Sequence, residues 1–384
     1  MHILYSHVGI KGKCGWGRTF YMAKGLVELG HSVTLLTINP QLSFLKIKNE
    51  YINGVKVVSF PDFFPLKIKS SGFAIWSTIF KCVYSLFHKY DLCIADCGHR
   101  FTAIPCKINR KIRKSLYFSE WWDFFGKGGY YEKKSTLFKA TYGKIECYNE
   151  LNDKRKADAV IVLSTFMRQR AIDNGISPNK IFIIPGGSII HDVPSSPPNK
   201  KKSLKDTIKI AYIGVDNQEI KLLSPFIDAL RNPNIQKKFK LVLYGDKISS
   251  EVWNKYDLTN IAEYRGYLNY SKDTTSLNDI DIFLQLLDDN NMSRAGWPNK
   301  LGDYLAFGKP IILAPYGDVE KFVENQKGFF LISYNKEAII NKLLNIENLS
   351  PSTLFDMGIE NLNLAETISW KNRARLVINI VKQI

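Results

Sequence analysis

The chain lacks any long apolar run: no uncharged hydrophobic stretch in its 384 residues approaches the roughly 18–20 residues that a bilayer span requires. Its first residues, Met1-His2-Ile3-Leu4-Tyr5, begin as a strand without the basic and apolar regions of a secretory leader, so a cytoplasmic, non-spanning chain is expected. Cysteine is sparse. Cys14, Cys82, Cys93, Cys97, Cys106 and Cys147 form no C-x-x-C pair and have no metal-like spacing to a histidine, which argues for reduced thiols and no metal. The dinucleotide fingerprint G-x-G-x-x-G is also missing, because Cys14 stands where Gly12 would need a second glycine and Gly15-x-Gly17 leads to Phe20. No acidic residue follows the second strand at Thr37-Ile38-Asn39-Pro40, and the Walker pattern is absent. These absences argue against a nicotinamide oxidoreductase and a P-loop nucleotidase.

Acidic residues are also in short supply: 36 against 53 basic ones, a formal net charge of +17. Residues 1–193 hold 28 basic and 14 acidic side chains, leaving 25 and 22 for the remainder, so the excess sits in the first half. An anionic partner is implied: nucleic acid, an anionic membrane or a phosphorylated substrate. The hydrophobic fraction of 45% suffices for two sizeable cores.

Short β-branched runs alternate with amphipathic stretches along the chain. A strand at His2–Ser6 leads into a glycine loop (Gly9, Gly12, Gly15, Gly17), a helix over about Arg18–Leu29 and a strand at Ser32–Thr37. Further strands read at Val55–Ser59, Leu92–Ala95, Ser115–Phe118, Ala159–Leu163 and Ile181–Ile184. A proline- and lysine-rich break over 194–206 reads as a linker, after which the pattern restarts with strand Ile208–Ile213, Gly214 and a helix over about Glu219–Leu230. Strands at Lys240–Tyr244, Ile282–Leu287 and Ile311–Leu313 follow. The expectation is an α/β chain of two doubly wound, Rossmann-like domains, with ligands beyond the carboxyl ends of the strands in a cleft between them.

The most informative segment is Ser293-Arg294-Ala295-Gly296-Trp297-Pro298-Asn299-Lys300-Leu301-Gly302-Asp303-Tyr304-Leu305-Ala306-Phe307-Gly308-Lys309-Pro310. It reads as a loop after a buried strand, Pro298 near the first turn of a helix over Asn299–Phe307, and Gly308 at the C-terminal end. Free N–H groups and the positive dipole end at Asn299–Leu301 suit a phosphate, and Lys300 shares a helical face with Asp303. Such a pair could hold the diphosphate and ribose of one nucleotide; the same spacing is also that of a surface ion pair.

The segment resembles the donor-binding motif of the retaining glycosyltransferases of family 4, which have the GT-B fold. In their pattern E-G-F-G-L-P-x-x-E-A-M-A-x-G-x-P-V, the second half is matched by Asp303-Tyr304-Leu305-Ala306-Phe307-Gly308-Lys309-Pro310-Ile311, with Asp303 at the ribose-binding glutamate. The first glutamate falls on Ala295, a departure that resembles a subgroup with R-x-x-x-P-x-K-x-x-E/D-Y-L-A, in which Arg294 and Lys300 help neutralise the diphosphate. Gly30-His31-Ser32-Val33, Ala157–Ser164, Ile183-Ile184-Pro185-Gly186-Gly187 and Ser369-Trp370 resemble further family stretches. Gly214 and Lys221 look like the diphosphate-gripping stretch, with Val215 in place of its arginine, and Arg265-Gly266-Tyr267 resembles the turn that holds the base.

The resemblance implies an acceptor domain over 1–193, a nucleotide-sugar domain over 207–366 and a last helix over 367–384 that crosses back to the first domain. It further implies transfer of a sugar from a UDP- or GDP-type donor to a hydroxyl with retention, without cofactor, metal or covalent protein nucleophile. Asp279-Ile280-Asp281 is read as structural. Donor-side residues are Gly214, Lys221, Gly266, Tyr267, Arg294, Asn299, Lys300 and Asp303; Glu120 or Ser119 stands at the family's first-domain histidine, which meets the donor sugar. Trp121, Trp122, Asp123, His99 and the loop glycines Gly12, Gly15 and Gly17 are acceptor-side candidates, since indoles stack on sugar faces and carboxylates accept from hydroxyls.

Ser71–Tyr90 reads as an aromatic amphipathic helix, and Lys107–Lys114 carries five cations in eight residues. Both could lay the acceptor domain on an anionic leaflet, with a glycan or lipid-linked acceptor in cell-surface polysaccharide or glycolipid assembly; a buried helix and a solvated basic face are the plainer alternative. Competing readings are an inverting transferase or epimerase of the same fold, an inactive scaffold, and a nucleic-acid-binding protein, against which stands the lack of a recognisable nucleic-acid-binding module.

Overall fold

The computed structural model describes residues 1–13, 15–65, 74–199, 207–268 and 274–384. Cys14, Ser71 at the start of the expected amphipathic helix, and residues 200–206 of the expected linker lie outside them. The chain divides into two compact units: one of Met1–Gly187, Arg294–Trp297 and Trp370–Ile384, the other of Ser188–Ser293 and Pro298–Ser369.

The first unit is built on eight strands: β1 (His2–Ile10), β2 (Ser32–Ile38), β3 (Lys48–Ile52), β4 (Val55–Phe60), β5 (Leu92–Ala95), β6 (Leu116–Trp121), β7 (Ala159–Val162) and β8 (Ile181–Ile183). Their order is β3-β4-β2-β1-β5-β6-β7-β8, parallel throughout except for β3, which pairs antiparallel with β4. The inner strands are buried on both faces, which is why most of them read as continuous apolar stretches. β3 escapes such a reading because it is a polar edge strand, joined to β4 by Asn53-Gly54, both at positive φ as a two-residue hairpin requires.

The second unit has six parallel strands: β9 (Ile208–Val215), β10 (Phe239–Gly245), β11 (Ala262–Tyr264), β12 (Ile282–Leu286), β13 (Ile311–Ala314) and β14 (Phe329–Leu331), in the order β11-β10-β9-β12-β13-β14. In each sheet the strand order reverses beside the first strand, at β1/β5 and at β9/β12. A doubly wound sheet leaves its ligand crevice there, outside the carboxyl ends of the strands. The helix expected over Glu219–Leu230 is two helices, Glu219–Leu222 and Ser224–Leu230, because Pro225 has no N–H to continue the first.

Helix Trp16–Glu28 of the first unit is covered by the C-terminal helix Trp370–Gln383. The backbones approach so closely at Gly25 that a Cβ there would lie 2.6 Å from the Trp370 carbonyl oxygen. Beside this contact, Arg18 is buried between the rings of Trp122 and Trp370, 5.8 and 5.6 Å from their centroids. It donates to Glu120 at 3.3 Å and to the Ile184 and Pro185 carbonyls at 3.2 and 3.3 Å. One guanidinium thus joins the first helix, the end of β6 and the segment after β8.

Gly25→Val forces that helix pair apart and is expected to cost roughly 1–3 kcal/mol, read as a lowered melting temperature. Glu120→Ala strands a buried cation and is expected to cost more, roughly 3–5 kcal/mol in denaturant unfolding; an unchanged transition midpoint would show that Arg18 does not depend on it.

Candidate active site

In the second unit the candidate site forms around the end of β9. Gly214 sits there at φ 82°, a conformation that favours glycine, and a Cβ would approach the Lys300 Cε to 3.1 Å. Lys300 belongs to helix Asn299–Phe307, which starts after Pro298 without a side-chain cap and ends at Gly308 in the left-handed conformation. Pro298 thus offers the first-turn N–H groups no side-chain acceptor, and the Leu301 N–H donates to the Pro298 carbonyl at 3.0 Å. Tyr304 fixes the helix to the sheet: its hydroxyl accepts from the Ile213 N–H at 3.0 Å, and its ring stacks on Phe283 at 4.3 Å.

Lys300 Nζ lies 4.2 Å from the Tyr212 ring centroid, donates to the Tyr212 hydroxyl at 2.8 Å and stands 3.5 Å from the Glu219 carboxylate. Burial pulls its pKa down, opposed by Glu219. Asp303 is half-buried one turn further along the same helix. Lys221 and Asn299 are exposed, and Tyr267 is 77% exposed after Gly266. Arg294 groups with the first unit, at the end of a short helix Asn291–Ala295 where the sequence reads as a loop. Tyr212 and Glu219 were not legible as site residues, since each lies more than eighty positions from Lys300 and no local motif marks them.

Other charged groups of this unit are committed to internal pairs. Arg265 holds Asp279 through two bonds of 2.7 and 2.8 Å and reaches Glu263 at 2.8 Å. That contact drives the Asp279 pKa well below the usual carboxylate range. Asp281 is buried and accepts from the Lys209 N–H at 2.9 Å. Both carboxylates of Asp279-Ile280-Asp281 are thus held by the protein itself.

In the first unit the corresponding strand ends carry a network that sequence reading missed. His7, near the middle of β1, pairs through Nδ1 with the Asp96 carboxylate just beyond β5, and both are fully buried. Asp96 also accepts from the Thr19 hydroxyl at 2.7 Å and the Val8 N–H at 2.9 Å. The glycine loop closes over it: Gly15, at φ 78°, caps helix Trp16–Glu28, and Trp16 sets its ring against His7 at 5.7 Å. Gly12 and Gly17 are exposed. His99 caps helix Arg100–Arg113, its Nδ1 accepting from Phe101 N–H at 3.4 Å while Nε2 lies 3.4 Å from Glu146.

Ser119, Glu120, Trp121 and Trp122, the candidates for contact with a sugar, are all buried. β6 runs through Trp121 as an inner strand, so its alternate side chains are covered on both faces. Ser119 and Glu120 are fully buried, and the Glu120 oxygens go to Arg18 and, at 2.8 Å, to the Trp122 indole N–H. Trp121 is core, its N–H donating to Glu150 at 2.7 Å under the Arg170 guanidinium. Asp123 is the first residue after β6 that keeps surface, and burial raises its pKa to about 6 against the opposing Arg18 charge.

Comparison with known proteins places these two units. The profile described as Glycosyltransferase Family 4 matches residues 18–188, and that described as Glycosyl transferases group 1 matches residues 207–348. An uncharacterized glycosyltransferase of Methanocaldococcus jannaschii is 22% identical over 350 residues, spanning 84% of this chain and 83% of its own. Among solved structures, sucrose-phosphate synthase from Thermosynechococcus elongatus superposes with a TM-score of 0.67 at 13% identity, covering 100% of this chain and 98% of that one. Anabaena HepE in complex with UDP-glucose gives 0.68 at 13% identity, with 100% of both chains covered. With two doubly wound parallel sheets and two matching profiles that together take in most of its length, the chain belongs to the family 4, group 1 glycosyltransferases of the GT-B fold.

Proposed function

We propose that the protein transfers a sugar from a UDP- or GDP-type nucleotide sugar to a hydroxyl of a glycan or lipid-linked acceptor with retention at the anomeric carbon, in cell-surface polysaccharide or glycolipid assembly at the cytoplasmic face of a membrane. The observation that carries the reading is Lys300, held on the Tyr212 ring at the uncapped start of helix Asn299–Phe307 and against Gly214. A diphosphate placed there meets an ammonium, helix N–H groups and a backbone that leaves room for phosphate oxygens. Negative charge grows on the diphosphate as the glycosidic bond breaks, so a preorganised cation at that point lowers the barrier.

Asp303, on the same helix face as Lys300, is positioned to accept from ribose hydroxyls, and exposed Lys221, in the short helix that carries Glu219, supplies a second cation. UDP-glucose bound to Anabaena HepE supports a uridine donor. With Asp279 and Asp281 held by Arg265 and Lys209, charge neutralisation falls to Lys300, Lys221 and the helix start, a metal-independent arrangement. On the acceptor side the carboxylate is Asp123, since Glu120 is buried against Arg18 and Trp122.

Screening UDP- and GDP-sugars by thermal shift is expected to pick out one donor class, and NMR of the product should show the donor's anomeric configuration kept. Lys300→Ala or Asp303→Asn should abolish that shift and lower turnover by about 100-fold or more while leaving the fold intact. Inversion in the product, or full activity in Lys300→Ala, would sink the reading. Because Asp123 is a carboxylate only above about pH 6, activity should fall as pH drops through 6. That acid limb should vanish in Asp123→Asn, whose activity is low at every pH.

A further inference from the structure

Helix Ile75–Phe87 turns part of its apolar surface outward. Its inward side carries Ser77, Thr78, Lys81 and Ser85, all buried, with Phe80 and Tyr84 half-buried against the core, whereas Ile75, Ile79, Val83 and Phe87 are 47, 49, 47 and 75% exposed. These four recur every fourth residue, so they line one outer stripe along the helix. Hydrogen bonds lock that rotation. Lys81 Nζ donates to the His7 carbonyl at 2.7 Å, Asp62 accepts from the Ser77 N–H at 3.1 Å, and Asn109 of the neighbouring helix donates to the Ser85 carbonyl at 2.8 Å.

The apolar surface continues at the start of the helix. Phe44 and Phe63, 57 and 45% exposed, pack on Trp76 at 4.7 and 5.6 Å, and the Trp76 indole donates to the Phe44 carbonyl at 2.7 Å. At the other end Arg113 donates to the Leu86 carbonyl at 2.9 Å, which brings the basic end of helix Arg100–Arg113 beside Phe87. Neither helix contains an acidic residue. Lys107 and Arg110 are paired with Asp153 and Asp158, whereas Arg113, at Leu86, and its chain neighbours Lys111 and Lys114 are exposed.

We propose that this face docks on an anionic lipid bilayer, with the stripe and the aromatic cluster in the interfacial layer and the exposed cations at the level of the lipid phosphates. Charge decides between occupants. A second copy of a chain of net charge +17 would bring like charge to a cation-edged surface, whereas an anionic leaflet supplies both an apolar layer and the opposite sign. The proposal names the partner of the first unit and stands apart from donor binding, so either can fail alone.

The full chain, at low salt, is floated with vesicles of phosphatidylcholine alone and of phosphatidylcholine mixed equally with phosphatidylglycerol. Flotation is expected only with the mixed vesicles and should be reversed by added salt. Ile79→Glu/Val83→Glu, both exposed and so without effect on the melting temperature, should cut the bound fraction by roughly tenfold, and Lys111→Glu/Lys114→Glu should do the same. No flotation with mixed vesicles, equal flotation with neutral ones, or flotation indifferent to the stripe variant overturns the proposal. A dimer in solution that the stripe variant breaks, without vesicle binding, assigns the face to a second copy instead.

Discussion

A guanidinium taken out of water sets the terms for the whole first unit. Arg18 keeps its charge where almost no solvent reaches it, so it needs a carboxylate and further acceptors within hydrogen-bond range. Glu120 supplies the charge and the Ile184 and Pro185 carbonyls accept from the two terminal nitrogens, while Nε has no hydrogen-bond partner among the described residues. Two indoles seal the site, and one of them, Trp122, requires an acceptor for its own N–H and takes the second Glu120 oxygen. With both oxygens spent, Glu120 belongs to the scaffold. The chain must run three residues further, to Asp123, before a carboxylate reaches the surface at the carboxyl end of β6.

The second unit separates structural from available charge by the same logic. Arg265 meets two carboxylates with planar, paired bonds, a geometry that saturates a guanidinium and leaves it no role with a ligand. Lys300 leans on an aromatic face and a hydroxyl, with its carboxylate neighbour at 3.5 Å. Such a lysine is oriented without being neutralised. An anion arriving at the helix start can take over the charge that Glu219 holds only loosely.

What could be read in advance was whatever the chain punctuates locally. Helix Asn299–Phe307 and strand Leu92–Ala95 fall where Pro298, Gly308 and the flanking polar residues predict them. Partnerships were not legible. Arg18 and Glu120 are 102 positions apart and Lys300 and Tyr212 are 88, and nothing in either neighbourhood names the other. The burial of Ser119 and Glu120 is hidden for a related reason: polar residues at the end of a strand look sugar-facing until neighbouring strands β5 and β7 flank them. β3 did carry a signal, the Asn53-Gly54 hairpin pair, outweighed by the polarity of Lys48-Asn49-Glu50.

The charge surplus of the first half takes on meaning once buried and exposed cations are told apart. Arg18, Lys107, Arg110 and Arg170 use up carboxylates in internal pairs, and Lys154 is buried without a hydrogen-bond partner among the described residues. Burial lowers the pKa of Lys154 and of Lys81 to about 8. Lys81 is the more telling of the two, because turning helix Ile75–Phe87 the other way round would hydrate it and cover the apolar stripe, at the cost of exposing Phe80 and Tyr84, which pack on the core. The fold instead commits the His7 carbonyl and Asp62 to holding the helix as it stands. The His7 carbonyl belongs to the same residue whose ring pairs with Asp96. The rotation that exposes the stripe is therefore tied to the polar network at the carboxyl ends of β1 and β5, and neither can be rearranged without disturbing the other.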